Sequence, residues 1–125
     1  MNPLEEALNL DASITEEVGN ILATKIMELD CALINEQVYD VATGLWNIGQ
    51  YRYSGVGFSS EVSDVIAFWI ERNFDENATY VERLIDVIYE LTSSGSDNIV
   101  RNLIQKTANE NIKGCLVEAY AYKGT

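Results

Sequence analysis

A chain of 125 residues, 47% hydrophobic and 22% charged, is long enough for one core, too short for two comfortable domains and too apolar to stay disordered despite a net charge of −12. Twenty carboxylates against eight bases would repel nucleic acid and anionic membranes, and would steer in a basic protein, faster at low salt. Histidine is absent, which removes Ser-His-Asp and Cys-His systems and the Glu-x-x-His metal centres of helical bundles.

The acid is uneven. Residues 1–50 hold nine carboxylates and only Lys25, net −8, while residues 51–125 hold eleven against seven bases, net −4. No apolar run approaches the roughly 18 residues that span a bilayer, and the opening Met-Asn-Pro-Leu-Glu-Glu-Ala lacks the basic start of a secretory signal, so a cytoplasmic location is expected. Cys31 and Cys115 are isolated in sequence and are expected to be reduced, mostly buried thiols rather than a disulfide or a zinc site.

Taken in order, Asn2-Pro3 suits the cap and first turn of a short helix. Ser13-x-x-Glu16 is a capping-box pattern ahead of Val18, Ile21, Leu22, Ile26 and Leu29, which predicts a helix to about Asp30 with that face in the core. Asn35 would cap the next helix, carrying Val38, Val41, Leu45 and Ile48, with Gly44 as a close packing point and Gly49 at the end. Its outer side shows Glu36, Tyr39 and Asp40. Residues 49–59 read as the longest loop, rich in aromatics. Tyr51, Tyr53 and Phe58 alternate as in a strand, but a single strand has no partner elsewhere, so these rings either plug the core beside Trp46 or face a partner.

Ser59 to Asn77 holds the clearest helix, which has two faces and is followed by a polar break over Asn73 to Asn77. Val62, Val65, Ile66, Trp69 and Ile70 share one broad apolar sector, expected in the core. Glu61, Asp64, Phe68, Glu71 and, if the last turn continues, Asp75 form the opposite stripe, with only Arg72 to one side as an offset. A second capping box, Thr79-x-x-Glu82, opens a helix with Val81, Leu84, Ile85, Ile88 and Leu91, ending near Ser93-Ser94-Gly95. Ser96 or Asp97 then caps one carrying Ile99, Val100, Leu103 and Ile104. A last helix after Asn109 carries Ile112, Leu116, Ala119 and Tyr120.

These segments predict an all-α single domain over 1–125, a bundle of about five to seven helices. Its second half loosely resembles stacked HEAT-type hairpins. Trp69, Ile66, Leu84, Ile88 and Leu103 are the expected core.

No motif specifies a reaction. Asp75-x-Asn77-x-Thr79 begins like a calcium loop, but Tyr80 stands where glycine is required and Asp86 at the twelfth position. Gly55 and Gly57 lack the Lys-Ser or Lys-Thr of a phosphate loop. Carboxylate pairs such as Glu16-Glu17, or Glu71 with Asp75, lie opposite the apolar stripes and read as solvated surface. No catalytic residue, cofactor or metal is therefore expected.

In character, small, acidic, helical and non-catalytic, the chain resembles the immunity proteins that bacteria make against their own toxins, in contact-dependent growth inhibition and related polymorphic toxin systems. That resemblance implies a nuclease toxin domain as partner. The residues themselves imply a basic protein, with no direct nucleic acid or membrane contact. Such an interface wants an aromatic anchor among acids, because desolvated rings supply affinity while acids orient a basic surface. Phe68 among Glu61, Asp64, Glu71 and Asp75 fits, with Glu36, Asp40, Tyr51 and Tyr53 as further candidates. Two other classes stay open: an acidic mimic of nucleic acid, with carboxylates spaced like phosphates, and a helical adaptor or scaffold using Phe68, Tyr51 and Tyr53 for self-pairing or peptide binding.

Overall fold

Short polar side chains set most of the helix starts. Asn2 Oδ1 accepts the Glu5 N–H at 2.9 Å ahead of α1 (Pro3–Leu8), and Thr15 Oγ1 accepts that of Val18 at 3.1 Å ahead of α2 (Glu16–Met27). Asp30 caps α3 (Cys31–Glu36) through Ala32, and α4 (Val38–Tyr51) follows after Gln37 without a side-chain cap. Ser59 caps α5 (Ser60–Asn73), Ser93 caps α7 (Ser94–Lys106) and Asn109 caps α8 (Glu110–Tyr122). Between them α6 (Val81–Ile88) starts without a side-chain cap. The computed structural model describes residues 2–53 and 55–123.

Among the described residues the protein is all-α, with eight helices and no strand, one helix more than the upper sequence expectation. The extra one is α3: Asp30 opens a new turn where a simple break was expected, and Asn35 lies inside it rather than capping the next helix. The α2 cap is Thr15, two residues beyond Ser13. The α6 helix stops at Ile88, short of Ser93, because residues 90–92 have other work. Phe58 donates its N–H to Glu90 O at 2.7 Å, and Thr92 N donates to Ser63 Oγ at 3.0 Å.

From α4 onward packing joins mostly alternate helices. α4 lies on α6 and α6 on α8, while α2 packs on α5 and α5 on α7; α1 rests across α2 and α4. Of the sequence neighbours in the second half, α7 and α8 run along each other. A Cβ on Gly44 would stand 3.0 Å from Leu4 Cδ1, so the predicted close packing point is where α1 meets α4. The core includes Trp69, Ile66, Leu84, Ile88 and Leu103, all buried as expected, together with Ile26, Leu45, Phe58 and Leu116.

The 49–59 stretch divides. Helix α4 extends to Tyr51, and Phe58 is in the core at 1% exposure, while Tyr53 is 73% exposed. The Tyr51–Tyr53 segment makes a single bridge to Ile14 without forming a strand. Ile14 N donates to Tyr51 O at 2.8 Å and Tyr53 N to Ile14 O at 3.1 Å, a lone parallel bridge. Between these tyrosines Arg52 turns inward. It pairs with Glu90, lies 4.9 Å over the Phe58 ring and donates to Val56 O at 3.3 Å. Gly57 permits the close approach here, since a Cβ would come within 2.5 Å of Glu90 O.

Candidate partner-binding surface on α5

Helix α5 is fixed from its inner side. The Trp69 indole N–H donates to Ile34 O at 2.9 Å, Asn73 Nδ2 donates to Asn35 Oδ1 at 2.8 Å, and Ser63 Oγ donates to Phe58 O at 3.2 Å. These bonds tie α5 to α3 and to the loop before it. The opposite face then stands on a rigid support. Phe68 is 62% exposed there while its neighbour Trp69 is 5% exposed, the separation of faces that the spacing predicts.

A furrow runs between α2 and α5 as three successive hollows of about 370, 300 and 500 Å³. The first is lined by Ile21, Lys25, Glu28 and Glu61 among others, the second by Met27, Val62 and Val65, and the third by Cys31, Asp64, Phe68 and Arg72. Thr24, Glu28, Glu61 and Val62 border both the first and second hollows, and Met27 and Val65 both the second and third, so the three are continuous. Apolar side chains line much of it, and its charged residues are Glu28, Glu61 and Asp64, with Lys25 at one end and Arg72 at the other.

Three of the sequence-predicted residues, Glu61, Asp64 and Phe68, therefore meet on one surface. Asp64 has a neighbour behind it as well: its Oδ1 would stand 2.5 Å from a Cβ on Gly95, in the first turn of α7. A carboxylate is favoured there by the positive end of the helix dipole. Glu71 and Asp75 belong elsewhere, lining a second cleft with Phe74, Leu103 and Lys106. The last turn of α5 does not continue to Asp75, because Phe74 adopts an extended backbone, and Asp75 Oδ1 instead accepts the Asn77 N–H at 2.9 Å. Glu36 and Asp40 are exposed on either side of the α3–α4 junction. Tyr51 and Tyr53 lie at the far end of α4, which at about 1.5 Å per residue puts Tyr51 roughly 16 Å from Asp40. The nine candidates do not form one patch.

Three residues expected in the core are open to solvent. Val65 is 52% exposed and Ile21 49%, with Val18 similarly open on α2. Their helices have apolar sectors wider than the neighbouring helices cover, and that excess width was the available signal. Cys31 is exposed in the furrow and Cys115 is exposed on α8, against the expectation of buried thiols. Both sit at helix positions that no neighbouring helix covers.

Arg83 makes a separate cationic cluster, 4.4 Å over the Trp46 ring and 5.6 Å over that of Tyr39. Its hydrogen bond to the Tyr39 hydroxyl, with its charge, lowers that phenol below the usual tyrosine range. Asp86 accepts from Arg83 at 3.2 Å, yet burial still pushes its carboxyl up. Among the described residues no group of three or more His, Cys, Asp or Glu is placed to hold a metal ion, and no helix is long and apolar enough to cross a membrane.

The fold and surface define a class, a small all-α domain that presents an apolar furrow edged with carboxylates. No protein-family model, curated protein or solved structure matches this chain.

Proposed function

We propose that this protein is an immunity-type antidote, binding and covering a basic toxin domain, a nuclease by the class it resembles, from within the cytoplasm of the cell it protects. The observation that carries the reading is Phe68, 62% exposed beside Asp64 on a helix whose other face is fully engaged in the core. A ring held out by a rigid helix loses little conformational freedom on binding, and it gains the full benefit of desolvation. The surrounding acid, net −12 over the chain, draws in a basic surface and orients it. The protein acts by occlusion and carries out no reaction of its own.

The test is co-purification from the native host, followed by co-expression with whatever is captured. The expected partner carries a basic domain whose toxicity is cancelled when this protein is present. Its association rate should fall about tenfold or more as salt rises from 0.1 M to 1 M, as the Debye length shrinks from about 10 Å to about 3 Å. Capture of only a second copy of this chain or of a neutral peptide, or toxicity unrelieved by co-expression, would remove the reading.

A further inference from the structure

The furrow between α2 and α5 has a shape that restricts what can enter it. We propose that it seats one α-helix of the partner, an amphipathic segment with apolar residues at i, i+3 or i+4 and i+7 and lysine or arginine beside them. The expectation of a basic partner rests on the antidote reading; the form of the docked element comes from the furrow.

Two helices lying side by side leave a channel along their length, and ridges of a third fill it. The residues bordering the hollows from the Ser59 cap to Arg72 of α5 span about 20 Å at 1.5 Å per residue, which matches between three and four turns of helix. Val65 and Phe68 are spaced by three on α5 and share hollows with Met27 of α2, while Ile21 shares the first hollow with Val62, so apolar side chains recur along the whole channel. An extended strand would fare worse. The backbone groups of α2 and α5 are already bonded within their helices, so a strand laid between them would bury its own N–H and C=O groups unpaired. A helix brings its hydrogen bonds with it.

Charge selects the occupant. Glu28 and Glu61 border the first two hollows and Asp64 the third, and they call for bases opposite them, whereas Lys25 at one end and Arg72 at the other each favour an acid beside the helix's ends. A second copy of this chain is a poor fit, since each brings a net charge of −12.

The two thiols supply the measurement. Cys31 lines the furrow, while Cys115 lies in a different hollow beside Tyr89 and Glu118. The probe is a synthetic leucine and lysine helix of about 16 residues with its leucines on one face, compared with a scrambled peptide of the same composition. With the full protein, the amphipathic helix should slow alkylation of Cys31 by iodoacetamide at least tenfold and leave Cys115 unchanged. Phe68→Ala and Val65→Ser should each weaken its binding about tenfold, with the melting temperature of both variants recorded as a folding control. Equal protection by the scrambled peptide, equal protection of both cysteines, or unchanged binding by the two variants would each overturn the proposal. So would protection of Cys31 on raising the protein concentration alone, which would make the occupant a second copy. The two readings fail separately. If the synthetic helix seats but the host yields no basic partner, the antidote reading falls and the helix seat stands; a basic partner that leaves Cys31 open removes the seat and keeps the antidote.

Discussion

Arg52 and Phe68 are both residues out of their usual place, and the chain treats them in opposite ways. Arg52 is a cation drawn inside, with a side chain only 1% exposed, and around it the fold gathers Glu90, the Phe58 ring and the Val56 carbonyl. Phe68 is an aromatic ring turned outward, and the fold leaves its outer face uncovered beside Val65 and Asp64. The contrast separates what serves the fold from what is left for a partner. A buried charge must be compensated within the chain because its desolvation costs several kcal/mol, whereas an exposed ring costs little until something else covers it.

Mutation can widen or collapse this contrast, beginning with the largest effect. Trp69→Ala removes a buried indole and its bond to Ile34, and should cost about 3 to 5 kcal/mol in chemical denaturation. Next comes Glu90→Ala, which leaves Arg52 buried without its partner and should cost about 3 kcal/mol, the low end for orphaning a buried charge because Glu90 is itself partly exposed. If Glu90→Ala were neutral, the Arg52 cluster would be ornament and the comparison would lose one side. Phe68→Ala should change stability by no more than about 0.5 kcal/mol while weakening partner binding by about 2 kcal/mol or more. Should it melt as readily as Trp69→Ala, the ring is core and the other side is lost.

The smallest effect belongs to Asp86, which lies between the two extremes. Burial raises its carboxyl despite the Arg83 guanidinium, so its protonated form is the one the fold prefers. The stability it contributes is full below the unfolded carboxyl value and declines as pH rises through the higher folded one. Asp86→Asn should therefore be neutral or stabilising by under about 0.5 kcal/mol at pH 7, since the group is partly solvated, with any gain gone near pH 3. Thermal melts of both proteins at the two pH values read this directly.

How much of this could be seen in the sequence depends on the range of the interaction involved. The division of α5 into a Trp69 face and a Phe68 face is a local matter of spacing, and it holds residue for residue at Ile66, Trp69, Ile70 and Phe68. Val65 and Ile21 fail for a different reason: spacing gives the width of an apolar sector but not how many neighbours arrive to cover it. Arg52 carries no sequence signal of burial because its partner is 38 residues away. The polar run from Asn73 to Asn77 marks the end of α5, but not that Phe74 turns extended at its start and detaches Asp75 from the stripe. The Tyr51–Tyr53 segment lacked a visible partner because its pairing with Ile14 takes one residue, too little to leave a pattern.

The Arg52 cluster also bears on the order in which the chain folds. Every helix is local and can form early, but this junction gathers Ile14, Arg52, Phe58 and Glu90 across long stretches of sequence. Closing such loops costs entropy before any contact returns it, so we expect these contacts to form late, with Glu90→Ala giving a φ-value near 0 in folding kinetics. Damage there would then leave refolding nearly as fast as before and show itself as faster unfolding, making the junction a latch on the lifetime of the native state.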